Sequence, residues 1–223
     1  MRKFVVVLTS LSLTAAGLVA AVPAQAAPLC TITNFSPRSV TVGLSPKVVT
    51  FPRPSVTGCT LEGWSMDADS FFVYDDNPQE VFSPYSNSET KPQDVVVEAY
   101  NPDYESRSRV FADSFTVKRF AGWDQFNASP EPVSKGKAIT VQGRLRIADW
   151  DNDRWVPFTN RIVAIEFRTP SGSYKQVKTA TTGAGGYLKT TVTASTDGYW
   201  RLRYGGNHFA GSAYVYGDYV DVR

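Results

Sequence analysis

One short stretch in the second half of the chain combines carboxylates with large aromatic rings. Its carboxylates occupy alternate positions, at Asp149, Asp151 and Asp153, and its tryptophans are Trp150 and Trp155. An exposed tryptophan offers a flat apolar face for a sugar ring or an anchor for a protein partner. The carboxylates beside it would accept hydrogen bonds from hydroxyl groups. The sequence therefore predicts these five residues as a binding site.

The same stretch, from Asp149 to Phe158, has a second interpretation that stays open. Tryptophans in a loop can also pack back over the open end of a β-sandwich, and the neighbouring carboxylates would then only be solvated. Both interpretations place the stretch in a long polar loop. They differ in whether the rings of Trp150 and Trp155 are exposed.

Alternating carboxylates are also the opening spacing of a helix–loop–helix calcium site. Such a site needs glycine at its sixth position and glutamate at its twelfth, and here those positions hold Arg154 and Asn160. The pattern therefore excludes that kind of site. A looser calcium site, built from carboxylates at the tip of a sandwich, stays an alternative. The prediction is no resident metal and no cofactor.

Catalytic chemistry has few candidates in this sequence. His208 is the only histidine and is expected to lie in a solvated turn, and no Gly-x-Ser-x-Gly elbow of a serine hydrolase is present. Two cysteines and one histidine do not supply a usual zinc site. A carboxylate-dependent hydrolase stays an alternative, with Glu166 and the group Asp149–Asp153 as its candidates. Because alternation along the strand predicts an exposed Glu166, no catalytic residue is assigned.

The N-terminal residues have the pattern of a secretory signal peptide. Arg2 and Lys3 precede an apolar run, and Ala24-Gln-Ala is a small-x-small cleavage site. Residues 1–26 are therefore predicted to be removed. What remains is predicted to be secreted and extracellular, without a membrane span, and to begin near Ala27.

The two cysteines of the chain, Cys30 and Cys59, both lie in its first half. In an exported, oxidising setting they are expected to form a disulfide. Closing a loop of about 30 residues stabilises the folded state by roughly 3–4 kcal/mol in the chain-entropy model.

Charge is balanced in total and uneven along the chain. Removal of residues 1–26 lowers the number of basic residues from 23 to 21, which equals the 21 acidic residues. A nucleic-acid-binding protein would keep a basic surplus, so no nucleic acid is predicted as a partner. Residues 27–118 hold 7 basic and 12 acidic side chains, and residues 119–223 hold 14 and 9. This difference is expected to be ordinary variation of the surface, since exposed ion pairs contribute little individually. The alternatives are that the two halves attract each other across the junction or present two differently charged faces.

Proline and glycine divide the rest of the chain into short strand-like runs, and no stretch keeps helical spacing for three turns. The predicted class is all-β: two tandem immunoglobulin-like β-sandwich domains, at residues 27–120 and 121–223, after a cleaved signal peptide. The segment Phe120–Asp124 is expected to be a short, semi-rigid junction. From Asn127 to Pro132 regular strand pairing is expected to be blocked, since proline cannot donate to a ladder.

Strand periodicity is clearest in the second unit. Residues 139–147 alternate apolar side chains with polar residues or glycine, which predicts a half-buried strand. In a later run Trp200 and Leu202 point one way, and Arg201 and Arg203 point the other. About six or seven such strands in roughly 100 residues is close to the pattern of an immunoglobulin-like sandwich.

Three segments at the end of the chain carry a resemblance. These segments are Gly186-Tyr-Leu-Lys, Asp197-Gly-Tyr-Trp-Arg-Leu-Arg-Tyr-Gly-Gly and Tyr219-Val-Asp-Val-Arg. They resemble the last three strands of bacterial immunoglobulin-like modules of exported proteins. With Asn127-Ala-Ser-Pro-Glu-Pro-Val, the chain resembles small two-domain secreted proteins of high-GC Gram-positive bacteria, a group without an assigned molecular activity. The resemblance implies a packing role for Trp200. It covers the first unit only loosely, because Trp64 follows both cysteines instead of lying between them.

The function predicted from these observations is that of a secreted, non-catalytic binding or surface-associated protein. Its partner would be a protein or a carbohydrate of the cell wall, and attachment to the cell wall is a further expectation. A secreted hydrolase and a calcium-binding exported protein are the alternatives.

Overall fold

The computed structural model describes residues 26–223, so the predicted signal peptide lies outside the described residues except for Ala26. The described chain consists of short β-strands and two brief 3-10 turns, Asn87–Thr90 and Ala184–Gly186. The all-β class predicted from the sequence is confirmed. Within residues 26–223 no helix has the length and apolar character needed to cross a membrane.

The first unit contains nine strands, which form the two layers of a sandwich. They are β1 (Thr31–Asn34), β2 (Ser39–Val42), β3 (Lys47–Thr50), β4 (Ser55–Thr57), β5 (Gly63–Ala68), β6 (Phe71–Tyr74), β7 (Gln79–Phe82), β8 (Gln93–Tyr100) and β9 (Ser106–Arg119). Five of them form one sheet in the order β2-β9-β8-β5-β6, in which β2 is parallel to β9. The other layer holds two antiparallel ladders, β1 with β4 and β3 with β7.

Phenylalanine rings dominate the core between these layers. Phe71 and Phe115 come from the five-stranded sheet, and Phe51 and Phe82 come from the side of the ladders. The centroids of Phe51 and Phe71 are 4.5 Å apart, and those of Phe71 and Phe115 are 4.8 Å apart. The predicted disulfide, Cys30–Cys59, is confirmed and joins the residue before β1 to the chain just after β4.

The second unit also has nine strands in two layers. They are β10 (Ala121–Ser129), β11 (Ala138–Asp149), β12 (Arg154–Pro157), β13 (Ile162–Arg168), β14 (Lys175–Thr181), β15 (Tyr187–Thr193), β16 (Gly198–Tyr204), β17 (Ala213–Tyr214) and β18 (Asp218–Val220). One sheet has β11 at its centre, paired with β10, β12 and β15, and the other runs β14-β13-β16 and continues into β17 and β18. The chain crosses between the sheets after β12, β14 and β15, which is the strand order of an immunoglobulin-like sandwich.

The core of the second unit is formed by the faces that the alternation predicted. Ile139, Val141 and Leu145 of β11 are buried, and so are Trp200 and Leu202 of β16. The packing role that the resemblance implied for Trp200 is confirmed, since its ring is 3% exposed and lies 4.7 Å from the ring of Phe167.

The connection between the units differs from the prediction. Strand β9 runs directly into β10 with only Phe120 between them, so residues 121–129 form a strand instead of a junction and a blocked segment. Pro130 follows the last residue of β10 and ends the pairing without interrupting it. A bulge hides this strand in the sequence, because Gln125 has a φ of 56° and shifts the register between Asp124 and Asn127.

Candidate functional site

The predicted acidic loop is a tight hairpin. Asp149 at the end of β11 pairs with Arg154, the first residue of β12, and Ala148 pairs with Trp155. Only the four residues 150–153 turn the chain, and Asp153 has a φ of 46° there. The long polar loop expected over Asp149–Phe158 is therefore incorrect, because the short strand β12 was included in the loop.

Trp150 lies inside the boundary between the two units. Its side chain is 6% exposed and belongs to the buried cluster of the first unit, together with Ala148. Its indole Nε1 donates a hydrogen bond to the backbone oxygen of Gly43, at 2.8 Å. The interpretation of a capping ring therefore agrees with the position of Trp150. The core that it caps is that of the neighbouring unit and not that of its own sandwich.

Asn87 of the first unit holds the hairpin from the other side. Its amide nitrogen donates to one carboxylate oxygen of Asp149 and one of Asp151, both at 2.6 Å. Its amide oxygen accepts the backbone N–H of Trp150 at 3.0 Å, and its own backbone N–H donates to Asp151 at 3.1 Å. Every polar group of the Asn87 side chain is thus used in the contact between the units.

The 3-10 turn that carries Asn87 is itself fixed by a capping box. The side chain of Ser86 accepts the backbone N–H of Ser88, and the side chain of Glu89 accepts the backbone N–H of Ser86 at 2.8 Å. A capping box satisfies the free donors at the start of such a turn. The capping box uses only residues of the first unit, so it holds the turn that carries Asn87 without help from the hairpin.

The three carboxylates differ in their environments. Asp149 is 7% exposed, and hydrogen bonds from Asn87 and Asn152 lower the pKa of its carboxyl group, against the opposing effect of burial. Asp151 is exposed but bonded to Asn87, and Asp153 is exposed. Among residues 26–223 there is no group of three histidine, cysteine or acidic residues placed to hold a metal ion.

Backbone hydrogen bonds complete the contact between the units. Phe120 donates to Val42 at 2.7 Å and accepts from Ala148 at 2.9 Å, so β2 and β11 are linked through one residue. The guanidinium Nε of Arg119 donates to the oxygen of Ala148 at 2.6 Å. The contact thus contains a shared core, a side-chain cluster and a backbone ladder.

A small open pocket lies at the surface of this contact. We call it the junction pocket; it has a volume of about 250 Å³, and its lining residues are Phe120, Gly122, Trp123, Asp124, Arg146 and Trp155. The rings of Phe120 and Trp155 stand edge to face with their centroids 5.8 Å apart. Trp155, Trp123 and Phe120 are all partly exposed. This is the part of the predicted site in which an aromatic ring remains accessible.

Arg146 forms the polar side of the junction pocket. Its two terminal nitrogens donate to Asp124 at 3.4 Å and to the backbone oxygen of Trp155 at 3.1 Å. Its Nε is buried and has no hydrogen-bond partner in the structure. A guanidinium and a carboxylate beside two aromatic rings can bind hydroxyl groups while the rings contact the apolar face of a ligand.

A second depression, of about 450 Å³, continues the pocket on the other side of β10. It shares Phe120, Gly122 and Trp123 with the junction pocket and extends to Tyr214 and Tyr216. Tyr216 is 93% exposed. The accessible aromatic surface is therefore larger than the junction pocket itself.

Glu166 is buried, contrary to the prediction. It is 5% exposed although it points away from the core, because Arg201 and Arg203 of the neighbouring β16 close over it at 2.7 and 2.6 Å. Burial alone would raise the pKa of the Glu166 carboxyl, but hydrogen bonds from Arg203 and Arg201 outweigh it and lower that pKa. The alternation along β13 correctly predicted that Glu166 points away from the core. It could not show that the side chains of Arg201 and Arg203 cover Glu166 on that outer face.

The carboxylates proposed for a hydrolase lie on different sheets. Glu166 belongs to β13 of one sheet, and Asp149 ends β11 of the other. His208 is exposed in the turn that follows β16, as expected.

The sequence analysis missed four residues of the junction pocket, which are Phe120, Trp123, Asp124 and Arg146. The first three were assigned to a junction between the units and not to a strand.

Comparison with solved structures gives distant neighbours. No family model and no curated protein matches the sequence. A chain of a 1.5-MDa bacterial ice-binding adhesin matches with 14% identity and a TM-score of 0.29, over 89% of this chain and 66% of that one, so this chain spans slightly less than two thirds of it. The three N-terminal domains of the outer capsid protein Hoc of bacteriophage RB49 match with 12% identity and a TM-score of 0.33, over 88% and 70%. The D00–D0 domains of intimin match with 13% identity and a TM-score of 0.32, over 86% and 98%.

Because these TM-scores are low, the fold is assigned from the strand order described above and not from these neighbours. The immunoglobulin-like part of the resemblance is confirmed by that order. Three statements stay predictions: the origin in high-GC Gram-positive bacteria, the domain boundaries 27–120 and 121–223, and the binding role of Trp150, Trp155 and the three aspartates.

Proposed function

We propose that the chain is a secreted, non-catalytic binding protein of two immunoglobulin-like units and that its junction pocket binds a carbohydrate of the cell surface or cell wall. The observation that carries this proposal is the pair of rings, Phe120 and Trp155, beside the partly exposed ion pair of Arg146 and Asp124.

The chemistry of the pocket suits a sugar. The C–H face of a pyranose packs on an aromatic ring, and its hydroxyl groups both donate and accept hydrogen bonds. Arg146 supplies donors and Asp124 supplies acceptors at the same rim. The Arg146 side chain is 32% exposed, and its terminal guanidinium nitrogens carry more N–H groups than their two bonds to Asp124 and Trp155 use, so they can also donate to a hydroxyl group.

The placement of the pocket supports a preformed site. Phe120 belongs to the connection and Trp155 to β12, and both are positioned by the hydrogen bonds that join the units. A site held by rigid elements loses little conformational entropy when a ligand binds. The exterior location is supported by the disulfide Cys30–Cys59, since disulfides persist in oxidising compartments.

The geometry favours binding over the two alternatives. Asp149 and Asp151 are engaged by Asn87, and Glu166 is engaged by two arginines, so these carboxylates already serve contacts within the chain. A carboxylate pair for hydrolysis would have to converge on one substrate bond.

The test is a titration of the mature chain with soluble cell-wall oligosaccharides, followed by tryptophan fluorescence, together with co-sedimentation on purified cell walls. Trp155→Ala and Arg146→Lys should each weaken binding at least about tenfold, since the first removes a stacking ring and the second replaces the forked guanidinium donors by a single ammonium group. Tyr187→Ala is the matched control, because this ring is 50% exposed on β15 and lies outside the junction pocket.

Two results would reject the proposal. One is binding to cell walls that neither junction variant weakens. The other is saturable binding of a protein, with no response to any oligosaccharide, which would make the same surface a protein interface.

A further inference from the structure

The outer face of the five-stranded sheet in the first unit carries a separate groove. It has a volume of about 660 Å³ and lies where β5, β6 and β8 run side by side. Ser65 of β5 pairs with Tyr74 on one side and Glu98 on the other, and Gly63 pairs with Tyr100. This groove belongs to one unit and shares no residue with the junction pocket.

Aromatic rings form the accessible walls of the groove. Phe72 is 55% exposed, Tyr74 is 39% exposed and Tyr104 is 75% exposed, and Tyr100, which also lines the groove, is partly exposed. The centroids of Phe72 and Tyr74 are 5.9 Å apart. Large rings exposed together on a sheet face are unusual unless a ligand or partner covers them. The faces of such rings attract cations.

The floor of the groove depends on Gly63. A Cβ atom at this position would lie 3.1 Å from a carboxylate oxygen of Asp75 and 3.8 Å from the ring of Tyr100. A glycine inside a strand weakens the strand and often marks a close approach by another group. Here its absent side chain leaves room between a carboxylate and an aromatic ring.

All the charged residues that line the groove are acidic. They are Glu62, Asp75, Asp76 and Glu98. In the part of the chain that the structure describes, every ion pair lies in the second unit, so none of these four has a cationic partner within 4.0 Å. The hydroxyl of Tyr100 donates to Glu98 at 2.8 Å, and this bond, with burial and the charges of Glu98 and Asp75, raises the pKa of Tyr100.

We propose that this groove binds an organic cation, with the cationic head an ammonium or alkylated ammonium group set against the rings of Tyr74 and Tyr100 and near the carboxylates of Asp75 and Glu98. Carboxylates alone would favour a hard metal ion, which prefers several oxygen ligands at short range. Aromatic rings favour a weakly hydrated organic cation, and the two together select an ammonium group with an apolar body. The groove is large enough for the body of such a ligand.

The head group could come from a small alkylammonium compound or from a lysine side chain of a polypeptide. Titration of the mature chain by calorimetry with tetramethylammonium chloride and, separately, with a short lysine-containing peptide distinguishes these sources. Sodium chloride at matched ionic strength is the reference. Saturable binding of either probe, without a matching response to sodium, is the expected result.

Variants of the full mature chain separate a cation site from a general acidic surface. Tyr74→Leu keeps apolar bulk and removes the aromatic face, and we expect binding to weaken roughly 3- to 10-fold. Gly63→Ala fills the floor without changing any charge, and Glu98→Gln removes one carboxylate; both should weaken binding as well. Tyr187→Ala in the second unit should leave it unchanged.

Circular dichroism identifies any variant that fails to fold, and Phe72→Leu, at an exposed position, is the substitute for Tyr74→Leu. Binding of neither probe would overturn the proposal. Binding that Glu98→Gln weakens and that Tyr74→Leu, Phe72→Leu and Gly63→Ala all leave unchanged would overturn it too, because it would show attraction by charge without a site.

Discussion

The two units differ in where their cores come from. The buried clusters of the second unit contain only residues of that unit. The buried cluster of the first unit contains Ala148 and Trp150 from the second, and Trp155 packs against it. The first unit therefore completes its core with side chains that follow it in the chain, and the second does not depend on the first in this way.

The units also stabilise themselves by different means. The first has a disulfide at the edge of a phenylalanine-rich core, and the second has a buried carboxylate held by two arginines on the outside of its sheet. Two units in tandem therefore need not be two independent domains. Removing one contact between the units should cost the first unit more than the second.

The largest effect is expected from Trp150→Ala. Loss of this ring should lower the free energy of unfolding of the first unit by about 3–5 kcal/mol, because it leaves a cavity and an unpaired Gly43 oxygen. The second unit should lose much less. Hydrogen exchange resolved by segment measures the two units separately in one chain.

Trp200→Ala is the matched control for that variant, since it removes an equally buried tryptophan from the core of the second unit. Its effect should fall mainly on residues 121–223. An equal loss in both units for Trp150→Ala would contradict the asymmetry between them.

Removal of the disulfide should come next in size. Replacing Cys30 and Cys59 together by serine opens a loop with a sequence separation of 29 residues, which should cost the first unit about 3–4 kcal/mol. The hydrogen exchange of β10 to β18 should stay close to that of the parent chain. A comparable loss in the second unit would show that its stability does depend on the first.

Glu166→Gln should destabilise the second unit by about 1–3 kcal/mol, because Arg201 and Arg203 lose a charged partner. The loss is limited to this size because both arginines are partly exposed, and water screens their charges. Asp221→Asn, at an exposed pair with Arg223, is the control and should change stability little. Urea denaturation at neutral pH measures both.

The same carboxyl gives a pH dependence with a definite sign. The folded pKa of Glu166 lies below that of an unfolded glutamate, about 4.3, so unfolding takes up a proton between the two values. Its contribution is complete above about pH 5 and is lost as the pH falls through the folded pKa. Glu166→Gln should reduce the acid sensitivity of the second unit, and an unaltered pH profile would contradict this.

The smallest effect is expected from salt. The five ion pairs in residues 26–223 all lie within the second unit, so the opposite charges of the two halves form no direct pair between the units. Raising sodium chloride to about 0.5 M should change the opening free energy of the Phe120 and Ala148 amides by less than about 0.5 kcal/mol. Marked acceleration of their hydrogen exchange would favour electrostatic attraction between the halves.

The class of fold, the disulfide and most core faces could be predicted from local sequence patterns. Strand alternation depends only on neighbouring residues, so the buried faces of β11 and β16 were visible without a structure. Proline and glycine marked the ends of many strands for the same local reason. The bulge at Gln125 concealed β10, because it broke the period of two on which the prediction depended.

The positions of the side chains in the candidate sites depend on how the strands pack, and local patterns did not predict them. Trp150 and Trp155 are close in the sequence, yet one is buried against Gly43 and Asn87 and the other lines an open pocket. Glu166 has the alternation of an exposed residue and is buried by arginines 35 and 37 positions later. These outcomes depend on contacts between residues far apart in the chain, and no local period contains that information.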